Sequence, residues 1–445
     1  MNFVPQTVVI TLNNITQKLR ETFSNFVDTR KGKNKQYTMI DAALSAFSIF
    51  FMQSPSFLEY QRTLEQTHGR NNARSLFGVH EIPCDNQIRT LLDSTPPSAL
   101  EPMFDYLFDS LNQAGIINKY RSKLGYLLIA LDGTETFSSK KIHCKHCSTR
   151  NHANGETTYY HSAITPVLVK PKCDKVIPLL PEFIQPQDGA EKQDCEINAA
   201  KRLLASHGKK FAKMKVIYIG DDLYCHEPFC REVSASEFEF IFTCKSSSHS
   251  TTQEWLDYLQ YNDCISTIIR RRWTGKRHEI DTYRYVNQVP LRDAKDALNV
   301  NWCEITTTDK NDKVLYKNSF SKSLPIDDKN VIDIIEAGRS RWKIENENNN
   351  VLKNNGYHFE HNYGHGKNFL SNILATLNIL AFLVHTVLDW MDDKYRLLRE
   401  KLPSRRRFFE DIRVLTSYLC FDSWDALMDF MLDSFEDGAS YLESG

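Results

Sequence analysis

The sequence predicts a mixed α/β core with helical regions at both ends. Three observations support this fold class: short apolar runs that end in polar residues, a helical pattern between two of them, and alternating polar and apolar residues further along the chain. Of the 445 residues, 41% are hydrophobic and 25% are charged, which is typical of a globular protein. We divide the chain into a helical region over 1–115, a core over 116–390 and a helical region over 391–445.

The N-terminal region has the spacing of helices. Residues 39–51 are almost all apolar or small, and large apolar residues recur every three or four positions over 104–111. This region is the first candidate for a nucleic-acid-binding domain. Because the net charge of the whole chain is only −1, any contact with an anionic polymer must come from local basic patches.

Two short apolar runs in the core end in aspartate. Residues 127–131 lead into Asp132, and residues 215–219 lead through a glycine into Asp221. Continuous apolar runs of this length are typical of buried strands. The other core elements that we predict are a helix over 194–206 and a strand over 238–243.

The segment over about 245–330 favours a β-rich insertion. Its alternating residues over 265–273 and 278–286 flank Thr-Gly-Lys and predict a hairpin. Further strands are predicted over 302–306 and 313–316, and a helix over 330–353.

Three acidic residues form a candidate metal site: Asp132, Asp221 and Glu345. Carboxylate oxygens are the ligands that Mg²⁺ prefers, and two such ions suit phosphodiester chemistry. An aspartate after a strand is also a common turn former or helix cap, which is the alternative. Asp222 and Glu347 compete with two of the positions, and we favour Asp221 and Glu345.

Several motifs, in their order along the chain, resemble the DDE transposases of bacterial insertion sequences. That group carries a Tyr-x2-Arg-x3-Glu-x6-Lys pattern on one helix. The matching segments here are Leu131-Asp132-Gly133-Thr134-Glu135, Lys192-Gln193-Asp194-Cys195-Glu196, Gly220-Asp221-Asp222-Leu223-Tyr224, Arg341-Trp342-Lys343-Ile344-Glu345 with Leu352-Lys353, and Glu360-His361-Asn362-Tyr363-Gly364-His365-Gly366.

The resemblance implies a ribonuclease H-like core with a β-rich insertion before Glu345. It implies cleavage and strand transfer of DNA, with Asp132, Asp221 and Glu345 holding two Mg²⁺ or Mn²⁺ ions. The partners that it implies are double-stranded DNA, as transposon ends and target, and a second copy of the chain on that DNA. The expected location is the cytoplasm of a bacterium, in association with the nucleoid.

The sequence departs from the pattern of that group at two positions. Gly338 stands at the tyrosine position. Seven residues lie between Glu345 and Lys353, whereas the pattern of the group has six. In the group these residues are linked to handling of the DNA end. The departures therefore leave open whether cleavage uses a hairpin intermediate.

Five residues are predicted to contact DNA: Arg341, Lys353, Arg271, Arg272 and Trp273. Arg341 precedes Glu345 by one helical turn, so we expect a phosphate contact or a forked hydrogen bond to a catalytic carboxylate. The alternative is an ordinary ion pair within the helix. Around the hairpin tip, the basic residues suit phosphate binding, whereas the alternative is an edge strand protected by charge.

Cys144 and Cys147 have the Cys-x2-Cys spacing of half a zinc site. We expect Cys173, Cys195 or a histidine to complete it, and the alternative is a loop with unligated thiols. With no secretory leader apparent, the eleven cysteines are expected to be reduced.

The longest apolar run, 373–388, contains several polar residues, so we expect a buried helix and no membrane partner. Three other functions compete with transposition. They are another ribonuclease H-like nuclease, a catalytically inactive DNA-binding protein derived from a transposase, and a zinc hydrolase that uses the Cys/His segment.

Overall fold

The computed structural model describes residues 10–31, 35–144, 146–185 and 194–442. The strands are β1 Leu127–Ala130, β2 Gly133–Ser139, β3 Ser148–Asn151, β4 Thr157–Ile164, β5 Val167–Val169, β6 Ile177–Pro178, β7 Glu182–Ile184, β8 Val216–Gly220, β9 Glu239–Thr243, β10 Ser266–Trp273, β11 His278–Pro290, β12 Asn299–Asp309 and β13 Val314–Lys322. The helices are α1 Leu12–Ser24, α2 Met39–Phe51, α3 Phe57–Glu65, α4 Thr67–Phe77, α5 Asp85–Leu92, α6 Glu101–Gln113, α7 Ile116–Lys119, α8 Glu196–Phe211, α9 Glu227–Ala235, α10 Ser250–Tyr261, α11 Val331–Arg339, α12 Asn350–Asn354, α13 Leu370–Met391, α14 Asp393–Lys401, α15 Arg405–Tyr418 and α16 Trp424–Leu442.

A nine-stranded mixed sheet forms the centre of the fold, in the order β10-β11-β12-β13-β9-β8-β1-β5-β6. Strands β1, β8 and β9 run parallel, and the other neighbouring pairs are antiparallel. All residues of β1 and β8 are buried, as their unbroken apolar sequence predicts. The predicted mixed α/β core is therefore confirmed.

The β-rich insertion extends this sheet. Its last strand, β13, pairs with β9, and its first strand, β10, lies at the far edge. The predicted hairpin is confirmed, since Trp273 pairs with His278 across the turn between β10 and β11.

A second, four-stranded sheet was not predicted. Strand β4 is its centre and pairs with β2, β3 and β7. Three of the four residues of β3 are exposed and five of the eight residues of β4 are half-buried, so these strands lack the apolar runs that marked β1 and β8. This small sheet begins directly after Asp132.

The helix predicted over 330–353 is wrong as one continuous element. Helix α11 ends at Arg339, the chain turns, and residues Ile344–Asn349 form a π-helix that continues into α12. The Ser340 hydroxyl donates to the Glu336 carbonyl at 2.9 Å. A serine that bonds back to the preceding turn often bends a helix, and this bond lies at the interruption.

The helices from the two ends of the chain pack into one apolar core. Helix α13 contacts α2, and α15 contacts α4. Trp424 on α16 packs against Phe51 and Phe77 and donates to the Leu76 carbonyl at 2.7 Å. The division at 115 and 391 stays a prediction, but the two helical regions are joined in space.

Helix α13 is the central helix of this core. By length and apolar composition, α13 is the one helix of the described ranges that would suffice to cross a membrane. However, 89% of its most apolar window is buried within the protein. Its burial agrees with the prediction of a core helix.

Candidate active site

Asp132 and Asp221 leave the central sheet side by side. The parallel register pairs Ala130 of β1 with Ile219 of β8. Each aspartate follows its paired residue by two positions, and both strands end at the same edge of the sheet. The topology therefore brings the two strand-ending carboxylates to one place.

Asp132 is surrounded by acidic side chains. Burial raises its pKa from 3.8 to about 7, the charge of Arg341 opposes that rise, and the charges of Glu196, Asp221 and Glu345 add to it. Such charge effects weaken with distance but are screened less in a partly buried site than in water. The acidic residues that the sequence singled out thus form a loose cluster of charge around Asp132, together with Arg341. Among the described residues, the three carboxylates are not one of the groups whose ligand atoms all lie within 4.8 Å of one another.

Asp221 and its neighbour Asp222 have different environments. Asp221 is partly exposed, and its Oδ1 accepts from the Leu223 backbone N–H at 2.9 Å. Asp222 is buried, accepts from the Lys245 backbone N–H at 2.6 Å and lies 3.3 Å from His249 Nε2. Because Asp222 is occupied in fixing the next loop, Asp221 is the carboxylate available to the cluster.

Glu345 and Glu347 lie on different sides of the π-helix. Glu345 is exposed and interacts with Asp132 through its charge. Glu347 instead lines a separate cavity with Lys175 and Arg405. The geometry therefore favours Glu345 over Glu347.

The π-helix is attached to the segment that follows Asp132. The Thr165 hydroxyl donates to Asn349 Oδ1 at 2.9 Å, and Asn348 Nδ2 donates to the same oxygen at 2.9 Å. The Thr165 backbone N–H donates to the Asp132 carbonyl at 3.2 Å. This chain of hydrogen bonds sets the position of Glu345 relative to Asp132.

Glu196 is a fourth carboxylate of the cluster, and the prediction from sequence omitted it. It begins α8, and its Oε1 accepts from the Gly133 backbone N–H at 3.1 Å and from the Tyr224 hydroxyl at 2.6 Å. Burial and the charge of Asp221 raise its pKa, against the hydrogen bond from Tyr224. The motif at 192–196 was the available signal, but an acidic first turn is common in helices. Lys192 and Gln193 of that motif lie outside the described residues.

The two basic residues predicted near Glu345 differ in their contacts. Arg341 is half-buried, and within the described ranges its guanidinium forms no hydrogen bond or ion pair. Within the described residues, Arg341 therefore forms neither the forked hydrogen bond to a carboxylate nor the ion pair to Glu345. Its positive charge nevertheless opposes the rise in the pKa of Asp132. Lys353 forms an ion pair with Glu360 at 2.8 Å.

The residues predicted to contact DNA at the hairpin tip are all exposed, but they differ in their ion pairs. Arg271 is exposed, and 59% of the Trp273 surface is accessible, with its ring 4.7 Å from that of His278. Arg272 is paired with Glu279 at 2.6 Å and with Asp281 at 2.7 Å. Its charge is largely balanced within the strand pair, so Arg271 and Trp273 are the freer residues.

Packing explains why glycine stands at position 338, where the group of transposases named above has tyrosine. A β-carbon at this position would lie 2.8 Å from the Phe320 ring and 3.1 Å from Ile241. Helix α11 therefore sits directly on β9 and β13, and the sheet leaves no room for a larger side chain.

Comparisons with known proteins give a likeness to solved structures and none to known sequences. No family model and no curated protein sequence matches the chain. Among solved structures, the chain is similar to the piggyBac transposase in its synaptic complex with hairpin DNA. The TM-score is 0.36 and the identity is 11%, over 91% of this chain and 82% of that one.

Cys144 and Cys147 meet two histidines beside the small sheet. Both sulfurs lie close to His161 Nε2, at 3.5 Å and 3.6 Å, and Cys147 Sγ lies 3.4 Å from His365 Nε2. Cys195 is exposed elsewhere, and Cys173 donates to the Lys175 carbonyl, so neither cysteine joins the group. His365 lies in the loop whose histidines the sequence left as rim or structural residues.

Proposed function

We propose that this protein is a DNA transposase that carries out metal-dependent strand cleavage and strand transfer of an insertion sequence. The observation that carries the proposal is the placement of Asp132 and Asp221 at the carboxyl ends of two parallel strands, with the charge of Glu345 on the π-helix acting on Asp132. The order of the sequence motifs supports the transposase class among enzymes with such clusters.

The donor set fits Mg²⁺ or Mn²⁺. Asp132, Asp221 and Glu345 offer only carboxylate oxygens, which are hard ligands. Burial, with the charges of three neighbouring carboxylates, raises the pKa of Asp132 to about 7 although the charge of Arg341 opposes the rise, so a bound cation would stabilise the ionised form of Asp132. Two bound ions would activate the attacking water and stabilise the leaving oxygen.

Protein groups around the carboxylates have separate tasks in this proposal. Glu196 anchors the Gly133 backbone through a hydrogen bond and holds the start of β2 beside Asp132. Asn349 positions the π-helix that carries Glu345. Arg341, which has its guanidinium free within the described ranges, offers a planar fork to a DNA phosphate.

The arrangement of the sheet supports a ribonuclease H-like core. Strand β1 lies between the antiparallel β5 and the parallel β8, and β9 continues the parallel set. The insertion between β9 and α11 agrees with the β-rich insertion that the resemblance implies.

Double-stranded DNA is the proposed partner. Arg271 and Trp273 at the exposed hairpin tip would contact the backbone, and Arg341 and Lys353 would lie near the cleaved strand. Arg272 would contribute less because two carboxylates already pair with it. A second copy of the chain would bind the other end of the element.

Alanine substitution of the carboxylates tests the proposal. Asp132→Ala, Asp221→Ala and Glu345→Ala should each abolish Mg²⁺-dependent cleavage of a plasmid that carries the gene with its native flanking DNA. DNA binding by gel shift should persist, because affinity is mostly electrostatic. Glu347→Ala, in the same π-helix but lining another cavity, is the matched control and should cleave normally.

Other outcomes separate the competing functions. Cleavage without strand transfer would indicate a nuclease, and binding with no cleavage by the wild type would indicate an inactive transposase derivative. Cleavage that survives Asp132→Ala but requires zinc would overturn the carboxylate assignment.

A further inference from the structure

A compact group of two thiols and two imidazoles lies outside the carboxylate cluster. Its members are Cys144, Cys147, His161 and His365, and their ligand atoms all lie within 4.8 Å of one another. His161 is buried, and the other three are half-buried. No step of the proposed DNA chemistry uses these residues.

The distances within the group match a tetrahedral metal site. Zinc bonds of about 2.3 Å to sulfur and about 2.0–2.1 Å to nitrogen place tetrahedral ligands roughly 3.8 Å apart for two sulfurs and roughly 3.5 Å apart for sulfur and nitrogen. The two sulfurs here are 4.0 Å apart, and the three sulfur–nitrogen distances are 3.5, 3.6 and 3.4 Å. This separation of the sulfurs also shows that the cysteines form no disulfide.

The Cys-x2-Cys turn is built to hold thiolates. The Cys144 backbone N–H donates to Cys147 Sγ at 3.4 Å, and the His146 backbone N–H donates to Cys144 Sγ at 3.4 Å. Such outer hydrogen bonds orient metal ligands and balance their charge. The turn thus aims both sulfurs at the two imidazole nitrogens.

We propose that Cys144, Cys147, His161 and His365 bind one structural Zn²⁺ ion. Two thiolates and two neutral imidazoles are a donor set that zinc favours over Mg²⁺. All four positions are filled by protein side chains, which is typical of a structural site and leaves no open position for a substrate.

The ion would join parts of the chain that are far apart in sequence. Three ligands belong to the segment that builds the small sheet after Asp132, and His365 lies 218 positions beyond Cys147. The His365 loop is itself held to the end of α5, because Asp93 accepts from the Asn368 and Leu370 backbone N–H groups at 3.0 Å and 3.2 Å. Zinc would therefore tie the small sheet to the helical core.

Metal analysis of the purified full chain tests this site. The wild type should contain about one tightly held zinc ion at this site. Cys147→Ala and His365→Ala should lose that ion and melt at a lower temperature, because metal binding contributes to folding stability. Cys84→Ala and His361→Ala change an exposed cysteine and another histidine of the same loop as His365, and both should keep it.

Cobalt spectroscopy tests the coordination of the metal in proteins that keep all four ligands. Co²⁺-loaded wild type should show the visible bands of tetrahedral coordination and a thiolate charge-transfer band. His365→Cys should keep the metal and strengthen the thiolate band.

A second group, Cys225, Cys244 and His249, is the internal comparison, because its three ligand atoms are also within 4.8 Å of one another. Unchanged zinc content in both Cys147→Ala and His365→Ala, or loss of the only zinc through His249→Ala, would overturn the assignment.

Discussion

At the residue level, the environment of Asp132 disfavours its ionised form in the folded protein and would favour a bound cation. Its carboxyl is partly buried, and three other acidic side chains act on it, so its charged form is destabilised in the folded protein. A cation that neutralises these charges would remove that cost. Clusters of this kind occur at functional sites because ordinary packing would avoid them.

Asp132→Asn should stabilise the metal-free protein in a pH-dependent manner. In the wild type the pKa of Asp132 is raised from 3.8 to about 7 on folding, so folding favours the protonated form, and stability is lost as the pH rises through this range. Asparagine cannot ionise and avoids the loss.

The gain in Tm should be smaller near pH 5 than near pH 8, where it should reach a few degrees in magnesium-free buffer. Glu347→Gln is the control and should show no such trend. A gain that falls with rising pH, or no gain at all, would contradict this account of Asp132.

At the level of elements, the π-helix over Ile344–Asn349 places Glu345 opposite the strand ends. Short π-helical segments are rare and often occur at functional sites. Here the wider turn is fixed by Asn349, which is buried and accepts from Thr165. Thr165 in turn follows β4, and its backbone N–H donates to the Asp132 carbonyl. Hydrogen bonds through Thr165 therefore connect the π-helix to the segment that carries Asp132.

Asn349→Ala should reduce cleavage more than it reduces DNA binding. The substitution leaves the buried Thr165 hydroxyl without its partner, at a cost of about 1–3 kcal/mol, and frees the segment that carries Glu345. Single-turnover cleavage in Mg²⁺ and a DNA-binding titration measure the two effects. Asn346→Ala changes an exposed asparagine of the same π-helix and should behave as the wild type. Equal behaviour of the two variants would show that Asn349 does not position Glu345.

At the level of the whole molecule, the two ends of the chain depend on each other. Asn72 on α4 donates to the Thr416 carbonyl at 2.8 Å and accepts from the Phe421 backbone N–H at 3.0 Å. Arg413 donates to the Gln53 carbonyl at 3.0 Å. The N-terminal helices are thus completed by segments from the other end of the chain, and neither set buries its apolar face alone.

Trp424→Ala should destabilise the whole protein by about 3–5 kcal/mol, because it leaves a cavity among buried aromatic rings. The Leu76 carbonyl also loses its donor. Chemical denaturation, followed by circular dichroism, measures the change. Tyr418→Ala removes an aromatic side chain that is 75% exposed and should change stability by less than about 0.5 kcal/mol. A destabilisation by Trp424→Ala that is no larger than that of Tyr418→Ala would show that the ends are independent.

The sequence alone determined the features that depend on local pattern. Continuous apolar runs specified β1 and β8, because residues buried on both faces of a sheet must all be apolar. Asp132 and Asp221 follow those runs in the sequence, and the parallel pairing of β1 and β8 then brings them to the same edge of the sheet. The Thr-Gly-Lys turn and its alternating flanks located the hairpin at β10 and β11.

Only the tertiary structure decided the features that join distant segments. Glu196 and His365 are ordinary residues in their local sequences, and their roles follow from neighbours at Asp132 and Cys147. The small sheet escaped prediction because its half-exposed strands lack a strong pattern. The π-helix also escaped prediction, and its buried Asn349 accepts a hydrogen bond from Thr165, 184 residues away in the sequence. The local sequence pattern indicates which faces of a segment are buried. A functional site also depends on which residues of distant segments lie beside it, and only the folded structure shows those residues.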